Sequence, residues 1–243
     1  MSSERLIFPD AAATAEACAA AMAETLRGAL ELAPLATLAV SGGTAIKLLF
    51  PRLVAAGLPW ERVHVFWVDE RSVPPEHEQS NYRLAKELLL GPARIPRDNI
   101  HRIPAELPAA EAAAQYMADI GAFLGLAPGE LPRFDVIHHG MGPDAHTASL
   151  FPGEPLIADR AGVAAAVYVE KMAQWRITLL PGVLQRAGRT VFFVTGAEKA
   201  EAARAVLEGE YEPVRFPSQV VDRNAARVTW FLDEGAAARL GAA

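Results

Sequence analysis

Apolar residues along the chain fall into two kinds of stretch, and they alternate. Residues 10–33 are rich in Ala and Leu at helical spacing, and Leu35–Val40 is then a short continuous apolar run. A helical stretch follows from about Ala45 to Ala56. Val63–Val68 (VHVFWV) is dense in β-branched and aromatic residues, and Asn81–Leu90 again has helical spacing. Ile100–Ile103 predicts a short strand, and Pro108–Leu124 a helix with proline at its start. Phe134–His139, Val163–Glu170, Thr190–Thr195 and Arg227–Leu232 complete the strands; helices are expected over Lys199–Glu208 and, briefly, from Asp233.

Apolar strands alternating with helices indicate a mostly parallel sheet covered on both faces, a three-layer α/β/α arrangement. No repeat or linker interrupts it, so residues 1–243 are expected to form a single domain. Sheets of this kind bind ligands at the carboxyl ends of their strands. Four polar clusters follow strand ends here, at 41–44, 69–71, 140–146 and 196–199, and they predict one shared crevice.

Composition narrows the partner. Lys and Arg number 23 against 29 Asp and Glu, a formal charge of −6, which argues against a nucleic-acid or anionic-membrane surface. An anionic ligand would have to be met by a few local cations. No apolar stretch approaches the roughly 20 residues of a membrane span, and the N-terminus lacks a secretion signal. A single cysteine, Cys18, fits a reducing cytosol and is expected to be a small buried apolar residue. A small-molecule partner is therefore expected, with the chain a monomer or weak homo-oligomer.

Ser41-Gly42-Gly43-Thr44 precedes a helix, so its N–H groups can face an anion or sugar hydroxyls; the plainer alternative is a turn with Thr44 as N-cap. In Asp69-Glu70-Arg71, Arg71 is expected to point into the crevice with an acidic neighbour holding its guanidinium. The plainer alternative is a solvated turn. His146 follows a glycine-rich loop and lies two residues after Asp144, whose carboxylate can orient the imidazole or raise its basicity. Ser149 lacks the G-x-S-x-G elbow of a serine nucleophile. His138 and His139, adjacent on a strand, point to opposite faces and cannot share a metal, so neither metal nor cofactor is expected. Arg176 is a further candidate cation. So is Lys199, poorly placed at a helix start unless an anion binds beside it.

Over nearly its whole length, to the closing Trp230-Phe231-Leu232-Asp233, the chain resembles the 6-phosphogluconolactonase family. Carrying the resemblance in order are Ser41-Gly42-Gly43-Thr44, then Asp69-Glu70-Arg71-Ser72-Val73-Pro74 with Ser80-Asn81, and the stretch from Gly140-Met141-Gly142-Pro143-Asp144-Ala145-His146 through Thr147-Ala148-Ser149-Leu150-Phe151-Pro152-Gly153. Arg176-Ile177-Thr178 and Gly196-Ala197-Glu198-Lys199-Ala200 follow. The resemblance implies a modified Rossmann-like fold shared with glucosamine-6-phosphate deaminases and isomerases. It further implies metal-independent hydrolysis of 6-phosphogluconolactone, a step of the pentose phosphate pathway, with Arg176 and Lys199 holding the 6-phosphate. Ala145 stands where the family usually has glycine, Ala45-Ile46 where a proline is common, and His138-His139 where an aliphatic pair is usual. Two other readings fit such a crevice: an amino-sugar-phosphate deaminase or isomerase, and a non-enzymatic sugar-phosphate sensor. Deaminases place a glutamate shortly after the corresponding histidine, whereas no acid follows His146 before Glu154.

Overall fold

The computed structural model describes residues 3–241. The chain opens with β1 (Glu4–Phe8) and a long helix, α1 (Ala11–Leu32), whose N-cap is the Asp10 side chain, accepting from Ala13 N–H at 2.8 Å. It continues through β2 (Ala36–Val40), α2 (Ile46–Ala55), β3 (Val63–Trp67), β4 (Asp69–Arg71), α3 (Asn81–Ala85), β5 (Ile100–His101), α4 (Ala109–Leu124) and β6 (Val136–His139). The second half holds β7 (Ala164–Val169), β8 (Gln174–Leu179), α5 (Pro181–Leu184), β9 (Arg189–Val194), α6 (Ala200–Glu208), α7 (Ser218–Asp222), β10 (Val228–Asp233) and α8 (Glu234–Ala237).

Seven strands form a parallel sheet in the order β1-β10-β9-β6-β2-β3-β5, flanked by helices. Its inner strands are buried along their full length, which is why they appear in the sequence as unbroken apolar runs. Trp230 stacks on Phe192 with centroids 3.9 Å apart, welding β10 to β9. Cys18 is fully buried among the α1 core residues, and burial pushes its thiol pKa up. Among the described residues no helix is long and apolar enough to cross a membrane.

Three strands depart from the expected layout. Val163–Glu170, expected in the parallel sheet, lies in a separate antiparallel sheet of order β4-β8-β7. Asp69–Arg71 is one of its strands, not a solvated turn, and β8 carries Arg176. The two sheets join at Val68, whose N–H donates to Val40 O at 2.9 Å while its carbonyl accepts from Leu179 N–H at 2.8 Å. One continuous segment thus serves both sheets in turn. Tyr116 fixes the crossing: its hydroxyl accepts from Trp67 N–H at 2.9 Å and donates to Trp67 O at 2.7 Å. The second sheet thus begins at the carboxyl ends of β2 and β3. The expected helix over Asn81–Leu90 is α3 followed by a π-helical turn at Lys86–Leu90.

Candidate active site

Because all seven strands run the same way, the segments following β2, β3, β6 and β9 emerge on one edge. They enclose a cleft of about 560 Å³. Its walls include all of Ser41–Thr44, Arg71, His146, Arg176 and Lys199, gathered from segments far apart in the chain. Asp144 stands directly behind His146.

The turn after β2 does not use Thr44 as a cap: the N-cap of α2 is Ala45, without a side-chain hydrogen bond. Among the described residues, the N–H groups of Gly42, Gly43 and Thr44 donate to no protein acceptor. A Cβ on Gly42 would sit 1.8 Å from Asn81 Oδ1, so glycine is needed for the turn to approach α3. Asn81 in turn donates to Asp69 O at 2.9 Å.

Arg71 lies on the cleft wall, but its acidic neighbour does not hold it. The Glu70 carboxylate instead accepts from the N–H groups of Arg71, Asn81 and Tyr82 and from the Ser80 hydroxyl, at 2.7–3.1 Å. Those donors gather at the start of α3, where a helix terminus favours an anion. Burial pushes the Glu70 pKa up even against these bonds. The Arg71 guanidinium donates to Gln79 O at 2.6 Å. Arg71 and Arg176 are direct partners across β4 and β8, so their side chains share one face. Each has a buried Nε without a protein acceptor. Burial, with Arg71 beside it, lowers the pKa of Arg176, although Asp69 partly compensates. The two guanidiniums, side by side on the cleft wall, suit a shared anionic guest.

The loop after β6 builds the histidine. Asp144 Oδ1 accepts from His146 Nδ1 at 2.6 Å, which sets the tautomer and leaves Nε2 as a proton acceptor. The ring stacks on Phe151 with centroids 4.2 Å apart. Hydrogen bonds from His146 and from Lys171 Nζ, the latter at 2.7 Å, hold the Asp144 carboxyl below the usual range despite partial burial. Ala145, between the two, has φ +62°, a conformation costing an L-residue about 1–2 kcal/mol. It is held there by its carbonyl, which accepts from Ser218 N–H at 2.9 Å and Ser218 Oγ at 2.8 Å.

His138 and His139 lie beneath this loop, on opposite faces of β6 and fully buried. His138 Nδ1 accepts from Ser41 N–H at 3.3 Å, and its ring packs edge-on to Phe50. His139 Nδ1 meets Thr147 Oγ1 at 2.9 Å; that hydroxyl donates to Gly140 O, so the imidazole proton sits on Nδ1. Desolvation lowers both pKa values to about 3, so both rings are neutral. Ser149 is buried with its hydroxyl on Asp69 Oδ2 at 2.7 Å, the placement of a packing residue. Among the described residues no group of three or more His, Cys, Asp or Glu is arranged to hold a metal.

Asn81 and Asp69, both within motifs read from the sequence, support the site by hydrogen bonds, and Lys171, to which the sequence reading assigns nothing, completes its framework. Lys171, in the β7–β8 turn, carries no local signal that separates it from an ordinary surface lysine.

The family model for glucosamine-6-phosphate isomerases/6-phosphogluconolactonase matches residues 9–230. A 6-phosphogluconolactonase of Nostoc sp. is 37% identical over 205 residues, 84% of this chain and 84% of that protein. The human 6-phosphogluconolactonase is 36% identical over 207 residues, 82% of this chain and 79% of that one. Among solved structures, the 6-phosphogluconolactonase of Trypanosoma brucei superposes with a TM-score of 0.84 at 25% identity, covering 98% of this chain and 99% of its own.

Proposed function

Since the chain belongs to the glucosamine-6-phosphate isomerase/6-phosphogluconolactonase family, we propose that it hydrolyses 6-phospho-D-glucono-1,5-lactone to 6-phospho-D-gluconate, a step of the oxidative pentose phosphate pathway. The observation that carries this reading is the His146 imidazole, aligned by Asp144 at 2.6 Å and facing a cleft that also holds Arg71, Arg176 and Lys199.

Neutral His146 accepts a proton at Nε2 from a water attacking C1 of the lactone; such general-base help contributes about 10²–10⁴-fold. The C1 carbonyl becomes an oxyanion, for which Arg71 and the free N–H groups of the 42–44 turn are donors. Loss of one such donor commonly costs about 3 kcal/mol. The tetrahedral species collapses, the bond from C1 to the ring oxygen breaks, and His146 returns its proton to that oxygen. The products are a carboxylate and a free hydroxyl, with one proton released to solvent. Arg176 and Lys199 hold the 6-phosphate and so fix the ring for attack. No step calls for a metal or cofactor.

Carboxylate placement favours hydrolysis over the deaminase reading. The first acid after His146 is Glu154, which precedes the short turn Pro155–Ala158 and does not line the cleft. The test is to mix the protein with freshly prepared 6-phosphogluconolactone and record acid release. Rapid release by the native protein is expected, with kcat falling by about 10²–10⁴-fold in His146→Ala while 6-phosphogluconate binding persists. Near-normal turnover in that variant would remove His146 from the scheme.

A further inference from the structure

Asp144 has two carboxylate oxygens, and they are divided between two hydrogen-bond donors from different parts of the fold. Oδ1 takes His146 Nδ1 at 2.6 Å, and Oδ2 takes Lys171 Nζ at 2.7 Å. Lys171 lies in the tight connection between β7 and β8, a 3₁₀ turn over Glu170–Met172 closed by Ala173 at φ +46°. The same hairpin carries Arg176 on its second strand. A hairpin that lines the cleft therefore also reaches across to the back of the histidine–aspartate pair. The Asp144 side chain is 23% exposed and that of His146 28%, whereas Lys171 is 65% exposed.

This geometry has a chemical consequence. An aspartate alone behind an imidazole stabilises the imidazolium and so raises the pH at which the ring becomes a competent base. A lysine on the same carboxylate offsets that charge, and it also keeps Oδ2 from rotating toward the ring. We infer that Lys171 is a positioning residue for His146: by engaging the second oxygen of Asp144 it fixes the carboxylate that aligns the imidazole. This rests on the lactonase reading for its consequence in turnover, but not for the contact itself. The remaining charged groups lining the cleft are Asp69, Arg71, Arg176, Glu198, Lys199 and Asp233; among the described residues none of them hydrogen-bonds to the Asp144–His146 pair.

The test compares the native protein with Lys171→Met and Lys171→Arg. The imidazole Cε1–H of His146 is titrated by NMR, its resonance assigned by its loss in His146→Asn, and kcat/KM for the lactone is recorded against pH. Removing a unit charge one carboxylate away, at a site with a water-like dielectric, should move the His146 titration and the acidic limb of kcat/KM alkaline by about half a pH unit. KM at the plateau should hold, and Lys171→Arg should titrate like the native protein. An unshifted titration in Lys171→Met overturns the inference. So does a raised KM without a shift, which would make Lys171 a substrate contact. If the native protein releases no acid from the lactone, the functional reading fails, yet the NMR titration still decides the role of Lys171.

Discussion

Gly142 gives the sharpest test of the proposed catalytic geometry, because one added carbon would occupy the place of the histidine. A Cβ there would lie 2.1 Å from His146 Nδ1, 2.2 Å from Cε1 and 2.6 Å from Asp144 Oδ1. Gly142 is not among the residues with positive φ, so its backbone accepts alanine without left-handed strain. Reaching ordinary contact at 3.4 Å requires the imidazole to retreat by about 1.3 Å. Misplacing a reacting group by about 1 Å can cost on the order of 10²-fold, and the whole contribution of a general base is about 10²–10⁴-fold. Gly142→Ala should therefore lower kcat by roughly 10²–10³-fold. Stability should fall by no more than about 1.5–3 kcal/mol, the worth of one hydrogen bond to a charged group. The assay is initial-rate acid release with the spontaneous hydrolysis subtracted, alongside binding of 6-phosphogluconate, which should stay within roughly threefold because the phosphate contacts are untouched. Gly28→Ala, in α1 and away from the cleft, is the control: a Cβ there meets nothing within 4 Å, so turnover should be nearly native. Native kcat in Gly142→Ala, or equal damage from the two alanines, would refute the placement of His146.

Ala145→Gly should change unfolding free energy by less than about 1 kcal/mol in denaturant titrations, since relief of left-handed strain is offset by a lost buried methyl and a freer unfolded chain. A larger loss would mean that the loop is not strained. Lys199→Ala should weaken binding of phosphorylated ligands by roughly 10-fold or more while sparing an unphosphorylated lactone, as compared by inhibition constants; equal loss on both would contradict the phosphate role. His138 and His139 have folded pKa values of about 3 against 6.5 unfolded, so below pH 6.5 the unfolded state binds protons that the folded state refuses. Their contribution is complete above pH 6.5 and falls toward pH 3 by up to about 1.4 kcal/mol per unit for each ring. His139→Leu should flatten that slope in pH-dependent denaturation, and an unchanged slope would rule the ring out as its source.

The parts of the fold legible in the sequence are those whose surroundings are uniform. β2, β3, β6, β9 and β10 are buried throughout, so their burial shows directly as apolar runs. β4 (Asp-Glu-Arg) and β8 (Gln-Trp-Arg-Ile-Thr-Leu) carry charge because their sheet lines the cleft, and charge hides a strand from any apolar pattern. β1 is a largely exposed edge strand that pairs with β10, far away in sequence, a contact with no local signal. The four strand-end clusters were legible for the opposite reason: polar residues ending apolar runs mark one edge of a parallel sheet. Arg71 lines the cleft, but its support is not the one its neighbours in sequence suggest. Glu70 adjoins it in sequence, yet alternation along β4 sends the two side chains to opposite faces, and Glu70 goes to the start of α3.

How an acidic protein can favour an anionic guest follows from which charges remain uncommitted. Arg71, Arg176 and Lys199 share the cleft with Asp69, Glu198 and Asp233, a formal balance. The two aspartates, however, are spent on the protein itself. Asp233 accepts from Gly196 and Ala236 N–H groups, and Asp69 from Ser149 and Asn81. Arg71 and Arg176, by contrast, stand side by side across β4 and β8, and burial penalises the charge on Arg176. Like charges held close together away from water destabilise one another. A ligand that supplies negative charge relieves that cost as it binds, so affinity for an anion and stabilisation of the fold by that anion have the same physical origin.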